Sequence, residues 1–185
     1  MKNSLLILAI IVILTCCSKE KLSRKDVVTT YYKALDSGTY NRIKEVVNDS
    51  VTIVSGDYVM PFDKIGFYEF FKWDSIFDPS YEILELTEEN DDIIVTIRQK
   101  NIRNSFLKNN PLQLKVKVSF ASGKISKFKE LDYIDVNWDT WNQTKDSLVS
   151  FVKTKHPKLD GFVNDMTMNG ATNYLKAIEL FENQK

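Results

Sequence analysis

The side chains able to do chemistry are few and unevenly placed. Cys16 and Cys17 stand side by side near the N-terminus and are the only two cysteines, so the rest of the chain can form neither a disulfide nor a thiolate site. His156 is the only histidine. It sits in Lys155-His156-Pro157, the predicted end of a helix, where an imidazole complements the helix dipole. The acids show no ligand-like spacing, so no metal and no cofactor is expected. The conspicuous remaining group is aromatic: Phe67, Tyr68, Phe70, Phe71 and Trp73 share one short stretch. Aromatics so close together cannot all occupy one side of a helix, so some must meet a pocket, another part of the chain or a partner. Phe67, Phe70, Phe71 and Trp73, with Tyr31 from an earlier helix, are the candidate ligand-binding residues. Trp138 and Trp141 form a second pair, suited to anchoring a helix or stacking on a ligand.

The cysteine pair closes a distinct N-terminal segment. Lys2 precedes Leu5–Leu14, a run without a polar residue, of the length that a secretory signal uses and short of the roughly 20 apolar residues that span a bilayer. Leu14-Thr15-Cys16-Cys17-Ser18-Lys19-Glu20 resembles a lipobox, in which apolar and small residues precede the cysteine that is diacylated and becomes the new N-terminus. Cys17 is followed at once by a polar Ser-Lys-Glu tether of the kind carried by lipoproteins of Bacteroidetes-like bacteria. Cys16 has the more usual small residue, Thr15, just before it, and both remain candidates for lipidation. Residues 1–16 are therefore expected to be a lipoprotein signal peptide and 17–22 a lipidated tether. The protein would be held by lipid at the bacterial cell envelope, facing the periplasm or on the outer membrane; a diacylglycerol with a further acyl chain suffices for stable anchoring. The 25 Lys and Arg balance 25 Asp and Glu, which argues against a nucleic-acid surface or a polybasic membrane patch. The expected partners are the membrane, through the anchor, and a small apolar ligand or an envelope protein.

The remainder is long enough for one domain with a sizeable core. Ser23-Arg24-Lys25-Asp26 reads as a capping box. Val27, Val28, Tyr31, Tyr32 and Leu35 follow at helical spacing, with Gly38 as the stop. Thr39 opens a second short helix with Ile43, Val46 and Val47 inward. Val51 and Ile53 suggest a strand ending near Gly56-Asp57-Tyr58, Pro61 breaks the chain, and a short aromatic helix runs over 65–71. From Ser80 the period changes to two. Strands are predicted at Tyr81–Leu86, Ile93–Ile102, Leu112–Phe120 and Ile125–Ile134, with turns at Glu88–Asp92 and Ser122-Gly123. One wet face and hairpin connections predict antiparallel pairing. Trp138 to Val152 and Ala171 to Phe181 are predicted amphipathic helices, separated by a partly ordered linker.

Helices first, a lone strand, a short helix and then four antiparallel strands make an α+β order. On that order, residues 23–136 resemble the nuclear transport factor 2-like superfamily, including its SnoaL-like bacterial members. The Val27–Leu35 helix and the Asp57-Tyr58 stretch occupy typical positions. The resemblance implies a curved antiparallel sheet wrapped around the N-terminal helices as a cystatin-like cone with an internal pocket. Residues 137–185 would be a C-terminal helical extension. Superfamily members often pair through the open face of the sheet; here the extension would cover that face and leave a monomer. Some members are isomerases, cyclases or dehydratases with an Asp or His base beside a Tyr. On that analogy Asp57 with Tyr58, or Tyr31 and Tyr32, are the groups to test, a buried Asp abstracting a proton while a tyrosine hydroxyl stabilises the oxyanion. No full catalytic constellation is visible. The leading expectation is a non-catalytic, lipid-anchored domain that binds a small ligand or docks a partner. An enzyme with an Asp base in the cone and a purely structural protein with a filled cone are the alternatives.

Overall fold

The structure, a computed structural model, describes residues 22–184. The expected signal peptide, Cys16, Cys17 and all of the tether but Leu22 lie outside the described residues. The first helix, α1 (Arg24–Asp36), starts where the Ser23 hydroxyl accepts from the Asp26 amide at 3.2 Å and donates to the Asp26 carboxylate at 2.5 Å. The carboxylate thus meets the hydroxyl, where a full capping box would have it meet the Ser23 amide. The helix stops at Gly38, whose φ of 64° lets the Thr39 amide fold back onto the Ala34 carbonyl. Helix α2 (Tyr40–Val46) follows.

Strands β1 (Val47–Ser55) and β2 (Tyr58–Asp63) form a hairpin, and α3 (Lys64–Ser75) leaves β2 through an Asp63 cap on the Gly66 amide at 2.7 Å. Then come β3 (Ser80–Glu89), β4 (Asp92–Lys100), the short α4 (Ile102–Phe106), β5 (Leu112–Ala121) and β6 (Lys124–Ile134). All six strands join in one curved sheet in the order β2-β1-β6-β5-β4-β3. The α+β class and the cone are as the sequence implies. Two details differ. Pro61 breaks nothing: it pairs with Thr52 inside β2, an edge strand, where a missing amide is tolerated. The sheet is also not wholly antiparallel, because β1 runs parallel to β6. Ile102, expected in a strand, begins α4 instead.

Two apolar cores fill the molecule. In the first, α1 and α2 lie within the curve of the sheet, burying Val28, Ile43, Val51, Val95, Val118 and Ile125. The second is built by α5 (Trp138–Lys155) and α6 (Met168–Glu182) against α3 and α4, with Phe77, Leu107, Leu148, Val152 and Ala177 buried. Helix α3 serves both: Phe67 enters the first core, Trp73 the second, and Phe70 touches each. Tyr68 faces outward against Tyr40. That division answers the crowding of aromatics in this stretch. The extension packs on α3 and α4, not across the sheet, whose outer side carries Lys115, Lys117, Lys127 and Lys129. The ground for expecting a monomer is corrected accordingly.

Candidate functional site

The mouth of the cone is not filled. Between α1, α3, the inner sheet face and the start of α5 lies a cavity of about 240 Å³. Its apolar walls come from Leu35, Ile43, Ile97, Leu112, Leu114 and Phe128, with Tyr31, Phe67, Phe70, Phe71 and Trp73 among its aromatic residues. Trp138 and Trp141 line it from the extension. Asn137 caps α5 and is clamped to Asn109 by two hydrogen bonds, of 3.0 and 3.1 Å, which fix where these indoles stand. An extension that borders the cavity without occupying it removes the filled-cone alternative.

Polar groups reach the cavity at two places. Asp74, in the last turn of α3, is only 8% exposed. Its Oδ2 accepts from the Tyr81 hydroxyl at 2.5 Å, and that hydroxyl accepts in turn from Gln99 Nε2 at 2.8 Å. Tyr81 and Gln99 are cross-strand partners in β3 and β4, so the strand register delivers both to one spot. Burial pushes the Asp74 carboxyl above the usual carboxylate range; the Tyr81 hydrogen bond and the positive charge of Arg103 oppose this. Burial and the adjacent carboxylate hold the Tyr81 phenol well above its ordinary value.

The second polar place is on β6. Glu130 accepts from the Tyr133 hydroxyl at 2.5 Å and from the Ser55 hydroxyl of β1. Simple alternation would send Glu130 and Tyr133 to opposite faces. A bulge prevents that: Val116 pairs with Glu130 while Lys115 pairs with Asp132, leaving Leu131 as the extra residue. The inserted residue resets the parity, so that Phe128, Glu130 and Tyr133 all line the cavity. The same device on β3, with Leu84 as the extra residue, keeps Tyr81, Ile83 and Leu86 packed inward. Burial, then the Glu130 contact, raises the Tyr133 phenol.

The predicted base is elsewhere. Asp57 and Tyr58 occupy the turn and first strand position of the β1–β2 hairpin, both exposed, Tyr58 to 77%. A two-residue hairpin tip points away from the sheet it joins, so this pair cannot share the cavity with Tyr31. Tyr31 and Tyr32 do line it, and burial raises both phenols. His156 ends α5, its amide on the Val152 carbonyl at 2.8 Å and its ring edge-on to Phe151. Among the described residues no cluster of His, Cys, Asp or Glu could hold a metal ion, and no helix is long and apolar enough to cross a membrane. Reading the sequence missed Asp74, Tyr81, Gln99, Arg103, Glu130 and Tyr133. The one available signal was Asp74 directly after Trp73, an acid on the face of α3 that the aromatics mark as buried.

No family model matches the sequence, and no curated protein matches it. The fold does have solved counterparts. An NTF2-like protein of unknown function from Cytophaga hutchinsonii is 13% identical, aligns over 62% of this chain and 93% of its own, and superposes with a TM-score of 0.50. IdmH of Streptomyces antibioticus, a candidate polyketide cyclase, is 13% identical over 68% of this chain and 99% of its own, with a TM-score of 0.51. A protein from Kribbella flavida gives 9% identity, 66% and 93% coverage, and 0.51. At such identities the likeness is one of fold alone.

Proposed function

We propose that this chain is a lipid-anchored protein of the bacterial cell envelope whose cone binds a small, mostly apolar molecule. The observation that carries the binding reading is the cavity itself. It is aromatic-walled and about 240 Å³, and convergent polar groups at Asp74–Tyr81–Gln99 and Glu130–Tyr133 orient whatever enters. The anchor rests on the Leu14–Glu20 pattern alone, of the form seen in lipoproteins of Bacteroidetes-like bacteria, with Cys17 or Cys16 as the acylated residue.

Native mass spectrometry of Ser18–Lys185, folded in the presence of an envelope extract, tests the binding reading. A reproducible added mass of a few hundred daltons is expected and would identify the ligand class. A clean apo mass after exposure to the extract would count against small-molecule binding and in favour of docking an envelope partner. For the anchor, the N-terminal peptide of the membrane-extracted protein should carry acyl mass on one cysteine. Replacing that cysteine with Ala should release the protein from the membrane fraction.

A second reading draws on one specific observation. Asp74 is a buried carboxyl with a raised proton affinity, in the same cavity as the buried Tyr31 phenol, to which no described side chain is hydrogen-bonded. An Asp base beside a free tyrosine donor suits proton abstraction next to a carbonyl, as in an isomerase or dehydratase. Deuterium exchange into a bound ketone, abolished by Asp74→Asn, would establish it; exchange that survives the substitution would remove it.

A further inference from the structure

We infer that the molecule held in the cone is an apolar monocarboxylate whose carboxylate pairs with Arg103, a conclusion that rests on the binding reading above and names its ligand class. Arg103 stands on α4, whose start is pinned by the Asn101 side chain accepting from the Asn104 amide at 2.6 Å. Its guanidinium lies 4.8 Å from the centre of the Trp73 ring and 5.5 Å from that of Phe77, and it lines the cavity. Aromatic contact uses the face of the guanidinium and leaves the N–H edge unspent. Among the described residues that edge has no hydrogen-bond partner. Arg103 Nε is buried without a hydrogen bond, and among the described residues no carboxylate lies within ion-pair distance of the group. A buried donor left unpaired is costly and calls for a partner.

The other cavity groups decide the sign of that partner. Both carboxylates already accept: Asp74 from Tyr81, Glu130 from Tyr133 and Ser55. Arg103 is the one cation among the described residues that line the cavity, and the Tyr31 and Tyr32 hydroxyls line it too and can donate to an acceptor. A ligand rich in acceptors and bearing one negative charge therefore satisfies the site, and a carboxylate matches the planar fork of an arginine. An ammonium ligand would leave the Arg103 edge without an acceptor. The remaining space is aromatic and aliphatic, which sets the rest of the ligand as a ring or a short chain.

The test uses phenylpropanoate and octanoate, each against its primary amide, titrated calorimetrically into Ser18–Lys185. The two skeletons separate an aromatic acid from a fatty acid. At least one acid should bind about tenfold or more tightly than its amide. In Arg103→Gln that preference should vanish. Arg103→Lys, which keeps a charge but not the fork, should recover part of the preference and serves if the Gln variant unfolds. Equal binding of acid and amide, or a preference that survives in Arg103→Gln, overturns the carboxylate assignment and leaves the binding reading standing. If neither acid nor amide of either skeleton binds, both readings are overturned together.

Discussion

Tyr81 donates its phenolic hydrogen to Asp74 at 2.5 Å from only seven residues away. The chain turns from helix α3 to strand β3 between them, so a short connection brings a helix acid onto a strand tyrosine. The same tyrosine oxygen accepts from Gln99, which ties the pair to the next strand. This links the end of one core to the inner face of the sheet and places a carboxyl where water is scarce.

Tyr81→Phe keeps the ring and deletes the donor. Asp74 would be left buried without its partner, and Gln99 Nε2 without its acceptor. A loss of about 1–3 kcal/mol is expected, with the Asp74 carboxyl moved further up because the hydrogen bond that favours its charged form is gone. Thermal unfolding and a carbon NMR titration of the Asp74 carboxyl check both parts. An unchanged titration would show that the bond does not act on the charge.

Asp74 also sets a pH dependence. Burial holds its folded-state pKa above the ordinary carboxylate value, so as pH rises through the range between the two the unfolded chain gives up the proton first. The unfolded state then binds fewer protons and stability declines with rising pH. Asp74→Asn can still accept from Tyr81 but has no proton to lose. The Tm of the variant relative to the wild type should therefore grow from acid to neutral pH, and a difference flat across that range would contradict the burial of a titrating Asp74.

Gly170→Ala tests the joint between the extension and the cavity wall. A Cβ there would meet the Asp165 carbonyl oxygen at 2.0 Å, and that oxygen accepts from Trp73 Nε1 at 3.2 Å. Backbone must shift, which costs about 1–3 kcal/mol by overpacking and displaces the Trp73 indole. Tryptophan fluorescence should change together with Tm; a lower Tm with an unchanged spectrum would place the strain elsewhere.

Leu148→Ala opens a hole in the second core, where Leu148 is fully buried. A loss of about 2–5 kcal/mol is expected. Because Phe70 belongs to both cores, unfolding should remain a single transition. Two separated transitions would mean that the extension melts by itself.

Asp57→Asn and Tyr58→Phe serve as the negative control. Both residues are exposed at a hairpin tip, where substitutions stay within about 0.5 kcal/mol. Neither stability nor ligand binding should respond. A binding defect in either variant would return the site to the hairpin.

Local pattern was enough for much of this protein. Ser23 and Gly38 mark the ends of α1 because caps act over three or four residues. Leu112 to Phe120 alternate without interruption, and β5 occupies Leu112–Ala121 with alternate residues buried. The inward residues Tyr31, Phe67, Phe70, Phe71 and Trp73 were likewise legible, since each follows the periodicity of its own helix, and all five line the cavity. Tertiary structure decided the polar lining. Glu130 and Tyr133 share a face only because of the bulge at Leu131, and a bulge is a property of two paired strands, invisible in one. Asp74 is buried by what α3 packs against: the aromatics mark its face of the helix as inward, but how deeply that face is covered depends on the other elements. Pro61 sits in a strand because β2 lies at the edge of the sheet, and edges exist only once all strands are placed. Periodicity reports which side of an element is apolar; which groups meet across elements is settled by register and packing.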